Sequence, residues 1–132
     1  MATIPDEVRA LFEGRNFGHL ATLLPDGSPH SVPVWVGVED DRVVFFTQAR
    51  SRKARNLERD PRVAISIVDG ENPYRSARIR GRVVETRTGD DALETIDRIS
   101  TRYTGQPFPM RTGTVYVIEP ESAGFMELPF RQ

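Results

Sequence analysis

The residue types best suited to chemistry gather in one short stretch, TQARSRKARN. There Ser51, Lys53 and Asn56 are interleaved with Arg50, Arg52 and Arg55. Five cations (Arg42, Arg50, Arg52, Lys53 and Arg55) fall between Asp41 and Glu58 with no acid among them. Ser51 is suited to cap a helix, which puts Arg52 and Lys53 in its first turn. That end of a helix has unpaired N–H groups and a partial positive charge, so each cation there costs about 0.3–1 kcal/mol. Two readings are open. The cations can be solvated on a helix that merely connects two strands. Alternatively, N–H groups, dipole and cations converge on one anion such as a phosphate, and the penalty becomes a gain.

Other candidates carry less. Trp35, the only tryptophan, alternates with Val34 and Val36; if the valines face a core, it faces the other way, towards a packing surface, a dimer interface or a ligand. His30, near a turn, reads as a surface residue, or as a group beside a pocket that could change charge near neutral pH. Asp90, Asp91 and Glu94 suit a helix N-terminus and read as structural. Arg78, Arg80 and Arg82 fit either a solvated barrel exterior or an anionic pocket. Tyr103 and Phe108 flank a Gly/Pro loop that could cover a site.

Composition narrows the chemistry. There is no cysteine, so disulfides, thiolate catalysis and thiolate-bound metals are excluded. The two histidines, His19 and His30, lack metal-ligand spacing, and no metal site is expected. No GxSxG, GxGxxG or GxxxxGK[ST] occurs, which leaves hydrolytic triads, Rossmann and P-loop sites without support. By elimination, any catalysis would come from a bound organic cofactor. A formal net charge of −1 argues against nucleic-acid binding and polybasic membrane attachment. No apolar stretch approaches the roughly 20 residues of a membrane span. With no basic and apolar leader visible, a cytoplasmic location is expected.

The elements that must position these residues follow from pattern. The 132 residues suit one domain. IPDEVRALFEG reads as a short helix with Pro5 at its start, Val8, Leu11 and Phe12 on one face, and Gly14 as its stop. Strands are expected over Phe17 to Leu24, Pro29 to Val38 and Arg42 to Thr47, the first two joined by a PDG turn. Pro29 and Pro33 cannot donate to a ladder, so the second strand should be an edge or be bulged. A basic helix spans Ser51 to Asp60, and RVAISIVD and YRSARIRGRVVETR are two more strands. In the latter, Ala77, Ile79 and Gly81 alternate with the three arginines. A helix with Ala92, Leu93, Ile96 and Ile99 inward ends at Gly105, and TVYVIEPESAGFMEL supplies a last strand or two. Strands joined by tight turns favour a mainly β, antiparallel barrel over a doubly wound sheet.

GHLATLLPDGSPHSVPVWV, VVFFTQARSRKARNLERDPRVAISI and ARIRGRVVE together resemble the pyridoxamine 5′-phosphate oxidase-like flavin and deazaflavin reductases, over roughly residues 5 to 127. The resemblance implies a split β-barrel of the FMN-binding-protein type, homodimeric, with two equivalent cofactor sites at the subunit interface. It implies that Ser51, Arg52 and Lys53 grip the cofactor's phosphate, with Arg55 and Asn56 near the ribityl and phosphate path. Phe46, Thr47 and Gln48 then meet the ring and ribityl chain, and Val32, Pro33, Val34 and Trp35 run beside the tricyclic ring. Arg78 or Arg80, and the segment from Tyr103 to Phe108, are expected to complete the wall from the partner subunit.

The short chain and the SRKARN form look most like the branch that uses the deazaflavin coenzyme F420. Arg50 and Arg55 would suit its more anionic tail. The resemblance thus implies a reductase passing hydride to an unsaturated small molecule. The alternatives are an FMN-binding oxidoreductase of the same fold and a carrier that binds flavin or F420 without turnover. The pyridoxal phosphate-forming oxidases carry a longer C-terminal region with substrate-gripping Arg and His that GFMELPFRQ does not match, so oxidation of pyridoxamine phosphate is not the expected reaction. No residue is nominated as the catalytic acid or base.

Overall fold

A computed structural model describes residues 2–130. Its elements run α1 (Asp6–Glu13), β1 (Gly18–Leu23), β2 (Pro29–Val34), β3 (Gly37–Glu39), β4 (Arg42–Thr47), α2 (Arg52–Arg59), β5 (Arg62–Val68), β6 (Arg75–Arg87), α3 (Gly89–Thr104) and β7 (Thr114–Glu127). The strands form one sheet in the order β2-β1-β5-β6-β7-β4-β3, with every neighbouring pair antiparallel. The mainly β expectation holds.

The expected strand from Pro29 to Val38 is in fact two. β2 lies at one edge of the sheet and β3 at the other, yet only Trp35 and Val36 separate them in sequence. Two residues cannot span an open sheet of this width. The sheet therefore rolls up until its edges meet, and the seam between them falls at Trp35–Val36. Pro29 and Pro33 sit on the edge strand β2, where their missing N–H groups leave no gap in a ladder.

β7 is a single strand despite Pro120 in its middle. Pro120 lies opposite Gly81 at a register shift, where a Cβ on residue 81 would come within 2.2 Å of the Glu119 carbonyl oxygen. Glycine is required there by close backbone approach. Gly105 ends α3 in the left-handed conformation (φ 82°), whereas Gly14 ends α1 with extended backbone. The expected inner faces are seen in α1 (Val8, Leu11, Phe12) and in β6, where Ala77, Ile79 and Gly81 are buried and Arg78, Arg80 and Arg82 exposed. In α3, Ala92, Ile96 and Ile99 are buried and Leu93 is only half-buried.

Two apolar clusters result. One fills the barrel, with Phe12, Leu20, Val36, Phe45, Ile65, Ile79 and Ile118 among its members. The other lies between the sheet and α3, where Val44, Val115 and Val117 meet Ala92, Ile96 and Ile99. Alternation along β4 feeds both: Val43 and Phe45 enter the barrel, while Val44 and Phe46 turn towards α3. A strand buried on both faces needs the near-continuous apolar run RVVFFT.

Candidate functional site

The candidate site is built where β4, the seam and the start of α2 come together. A groove of about 370 Å³ is lined by Pro33 and Val34 of β2, Trp35 of the seam, Phe46 of β4 and Lys53 of α2, with Phe17 and Phe108 completing the walls. Phe46 faces it because Phe45 is committed to the barrel, where it stacks on Tyr116 at a centroid distance of 5.2 Å. Trp35 faces it because Val34 and Val36 on either side are buried in the barrel.

The aromatic rings form a packed set. Trp35 stacks on Tyr103 at 5.2 Å with 9° between planes, and meets Phe46 and Phe108 edge-on, each at 6.2 Å. Phe46 and Phe108 are themselves edge-to-face at 5.0 Å. Such a wall presents flat, apolar surface to a planar guest.

At its other side the groove meets the N-terminus of α2. Ser51 caps that helix: its Oγ accepts from the Ala54 N–H (3.2 Å), and its carbonyl accepts from the Arg55 N–H (3.1 Å). Thr47, buried at the end of β4, donates its hydroxyl to the same Ser51 Oγ at 3.1 Å. With both lone pairs engaged, the Ser51 O–H keeps one donor to offer. The N–H groups of Arg52 and Lys53 have no intrahelical partner.

The charges there are unbalanced. Arg9, Arg42, Arg62, Arg75, Arg82, Arg87, Arg98 and Arg111 are ion-paired, whereas Arg50, Arg52, Lys53 and Arg55 have no acidic partner among the described residues. Arg42, counted with this group from the sequence, lies at the far end of β4 and pairs with Glu119 at 3.5 Å. Burial pushes the Lys53 ammonium below its ordinary pKa, since nothing nearby compensates its desolvation. An anion in front of α2 would remove that penalty and satisfy the free N–H groups together.

Pro33, Val34, Trp35, Phe46 and Lys53 thus share one groove; Ser51 and Thr47, hydrogen-bonded to one another at the start of α2, are not among its lining residues. Arg52 and Arg55 are exposed on α2. The other expected residues lie elsewhere. Val32 packs against the barrel cluster. Gln48 lines a separate cavity of about 440 Å³ with Arg50 and Arg111, its side chain donating to the Thr112 carbonyl at 2.8 Å. Asn56 is fully buried, donating to Thr22 Oγ1 at 2.9 Å, so its side chain ties α2 to β1 instead of facing the groove. Arg78 is exposed on the outside of the sheet, its guanidinium lying where a Cβ on Gly124 would be. His30 faces Thr22 across the β1–β2 ladder and is no part of the groove.

Phe108, assigned from the resemblance to the partner's wall, lines the groove of its own chain, and Tyr103 backs Trp35 there. Phe17 was not singled out by the sequence at all. Its signal was weak: an aromatic residue just before a strand, on the side away from Leu20, and more than half exposed. Chemically the groove can hold a flat ring against its aromatic wall and an anion at α2. Of its lining side chains only Lys53 is ionisable, and Trp35 adds an indole N–H as a hydrogen-bond donor.

A model of the pyridoxamine 5′-phosphate oxidase family matches residues 4–127. A solved structure described as an F420 reductase is 29% identical, with a TM-score of 0.80, covering 91% of this chain and 98% of that one. The conserved hypothetical protein Rv2991 from Mycobacterium tuberculosis is 28% identical, also with a TM-score of 0.80, covering all of this chain and 91% of that one. Among curated proteins, the 5a,11a-dehydrotetracycline/5a,11a-dehydrooxytetracycline reductase of Streptomyces rimosus is 36% identical over 59 residues. That match spans 42% of this chain and 42% of the relative, so it covers less than half the length of either.

Proposed function

The chain belongs to the pyridoxamine 5′-phosphate oxidase family, and from that premise we propose that it is an oxidoreductase using coenzyme F420 to reduce an unsaturated small molecule. The observation that carries the reading is the meeting, at Lys53, of an aromatic groove with the start of a Ser51-capped helix, where Lys53 has no acidic partner among the described residues. The donor set fits a phosphorylated flavin-like cofactor: N–H groups, the Ser51 hydroxyl and Lys53 for the phosphate, aromatic and proline surface for the ring.

When bound, the reduced deazaflavin supplies hydride from its central ring. The chain's own part is positional and electrostatic. Lys53 and the N-terminus of α2 fix the anionic end, so the ring has one place to lie. Trp35, Phe46 and Phe108 give it an apolar wall and keep water from that side. Lys53 is the one side chain of the groove able to hold a proton near the substrate, and solvent is the alternative source. Arg50, exposed and unpaired, suits a cofactor with a longer anionic tail than FMN carries. The solved structure described as an F420 reductase supports the same choice, and the curated match named as a reductase supports a reduction.

The active assembly in this reading is a homodimer. Its support is the resemblance, together with Arg78 and Arg80, exposed and without an acidic partner among the described residues, on an outer sheet face bordered by Ser66, Ser122 and Gly124.

Titration of the purified protein with F420 and with FMN, each followed by cofactor fluorescence, tests the proposal. Micromolar binding of F420 with far weaker FMN binding is expected. Preference for FMN would replace the deazaflavin with a flavin. Binding without turnover across a panel of enones and quinones would make the protein a carrier.

A further inference from the structure

The seam creates a local problem for the backbone. Where the chain leaves β2 on one edge and enters β3 on the other, Val36 belongs to neither ladder, and its buried peptide groups need other partners. Both are met from the last turn of α3. Tyr103 Oη accepts the Val36 N–H at 3.2 Å, and Arg102 donates to the Val36 carbonyl. The same tyrosine donates its hydroxyl to the Asn16 carbonyl at 2.5 Å.

Each of these bonds flanks a wall of the groove. Val36 follows Trp35, and Asn16 precedes Phe17, and both aromatics line the groove. The Tyr103 ring, which does not line it, stacks on Trp35 at 5.2 Å and lies 6.0 Å from Phe17. The Arg102 guanidinium sits 5.1 Å from the same ring. One side chain thus holds the backbone beside two lining residues and backs their rings.

We propose that Tyr103, braced by Arg102, is a positioning residue: it closes the seam so that Trp35 and Phe17 stand at the spacing a flat ligand needs. A ring pressed against Trp35 from the groove would push the indole towards Tyr103, and the stack with its two hydrogen bonds resists that displacement. The proposal rests on the groove's being the cofactor site. Its geometric half, the clasp on Val36, stands without any ligand.

The test uses Y103F, which keeps the ring and removes the hydroxyl. Because Trp35 is the only tryptophan, its fluorescence reports this one position. Acrylamide quenching of Trp35 is expected to rise, and affinity for F420 or FMN, whichever wild type binds, to fall about five- to twentyfold, as for one or two lost hydrogen bonds. R52A, used as a control at an exposed cation of α2 outside the groove's lining, lowers affinity and leaves the Trp35 quenching unchanged. Y103F with wild-type quenching, or with raised quenching and undiminished affinity, overturns the proposal. If wild type binds neither cofactor, the functional reading fails, and quenching in Y103F alone decides whether the clasp holds. Should Y103F fail to fold, hydrogen exchange in wild type replaces it: a protected Val36 amide supports the clasp, and one exchanging like a free amide refutes it.

Discussion

The two apolar clusters use the same strand and differ in how they end. The barrel interior is closed. Phe45 is fully buried in it, stacked on Tyr116. The cluster under α3 begins in the same way, with Val44, Ile96 and Val117 fully or almost fully buried, but runs out into half-exposed rings: Trp35, Phe46, Tyr103 and Phe108. Neighbouring phenylalanines on β4 therefore do different work. Phe45 is sealed in the barrel, and Phe46 lines the groove. In the proposed reading, a core left unfinished beside the start of α2 makes room for a ligand without opening the barrel.

That contrast can be broken most directly at Phe45. Phe45→Ala leaves a cavity in the closed cluster and should cost about 3–5 kcal/mol in a denaturant melt. A loss below 1 kcal/mol would mean the barrel is not the main source of stability. Lys53→Ala should leave the melt near wild type while weakening an anionic cofactor by about 1.5–3 kcal/mol, as expected for a hydrogen bond to a charged group. Unchanged affinity would place the phosphate elsewhere. Phe46→Ala should lose only about 1–2 kcal/mol of stability, from its edge contacts with Trp35 and Phe108, and should reduce ring binding as well. If it destabilised the protein as much as Phe45→Ala, the two faces of β4 would be equivalent and the distinction lost.

The smallest effect concerns Glu39, which accepts from Arg87 and Arg98 and ties β3 to β6 and α3. Burial acts to raise its pKa, but the hydrogen bonds and charges of both arginines together outweigh it and hold the carboxyl below the usual range. A depressed pKa in the folded protein means stabilisation that is complete above the ordinary glutamate pKa and lost as pH falls through the folded value. Wild type should thus lose up to about 1 kcal/mol over that acid limb, in keeping with a partly exposed pair, and Glu39→Gln should flatten it. An unaltered acid limb in the variant would assign the loss to other carboxylates.

Much of this arrangement could be read from local pattern. The cap at Ser51, the two-faced alternation of β6 and the stop at Gly105 each depend on residues within a few positions of one another. The same holds for Lys53 at the start of α2 and for Trp35 opposed to its flanking valines. What sequence could not supply was partner choice. Val34, Trp35 and Val36 alternate without interruption, so nothing local marks the change from one sheet edge to the other. Asn56 lies three positions after Lys53 and shares its motif. On a helix of only eight residues, however, the side that carries Asn56 is also the side with Ala54 and Leu57 that packs on β1. Phe17 and Phe108 are far apart in the chain and meet at the groove only through tertiary packing.

The pairing of β4 with β7 has a consequence for the order of assembly. β4 is made well before its ladder partner β7, which follows only after α2, β5, β6 and α3. Such long-range pairing is slow to nucleate, because the loop must close before any contact rewards it. On an emerging chain, then, α2 can already pack on β1 through Asn56 and Thr22, but the β4 ladder that carries Phe46 stays half-made until β7 has been synthesised. A cofactor can bind only the finished molecule, so it would guard the folded state against unfolding without guiding the chain towards it.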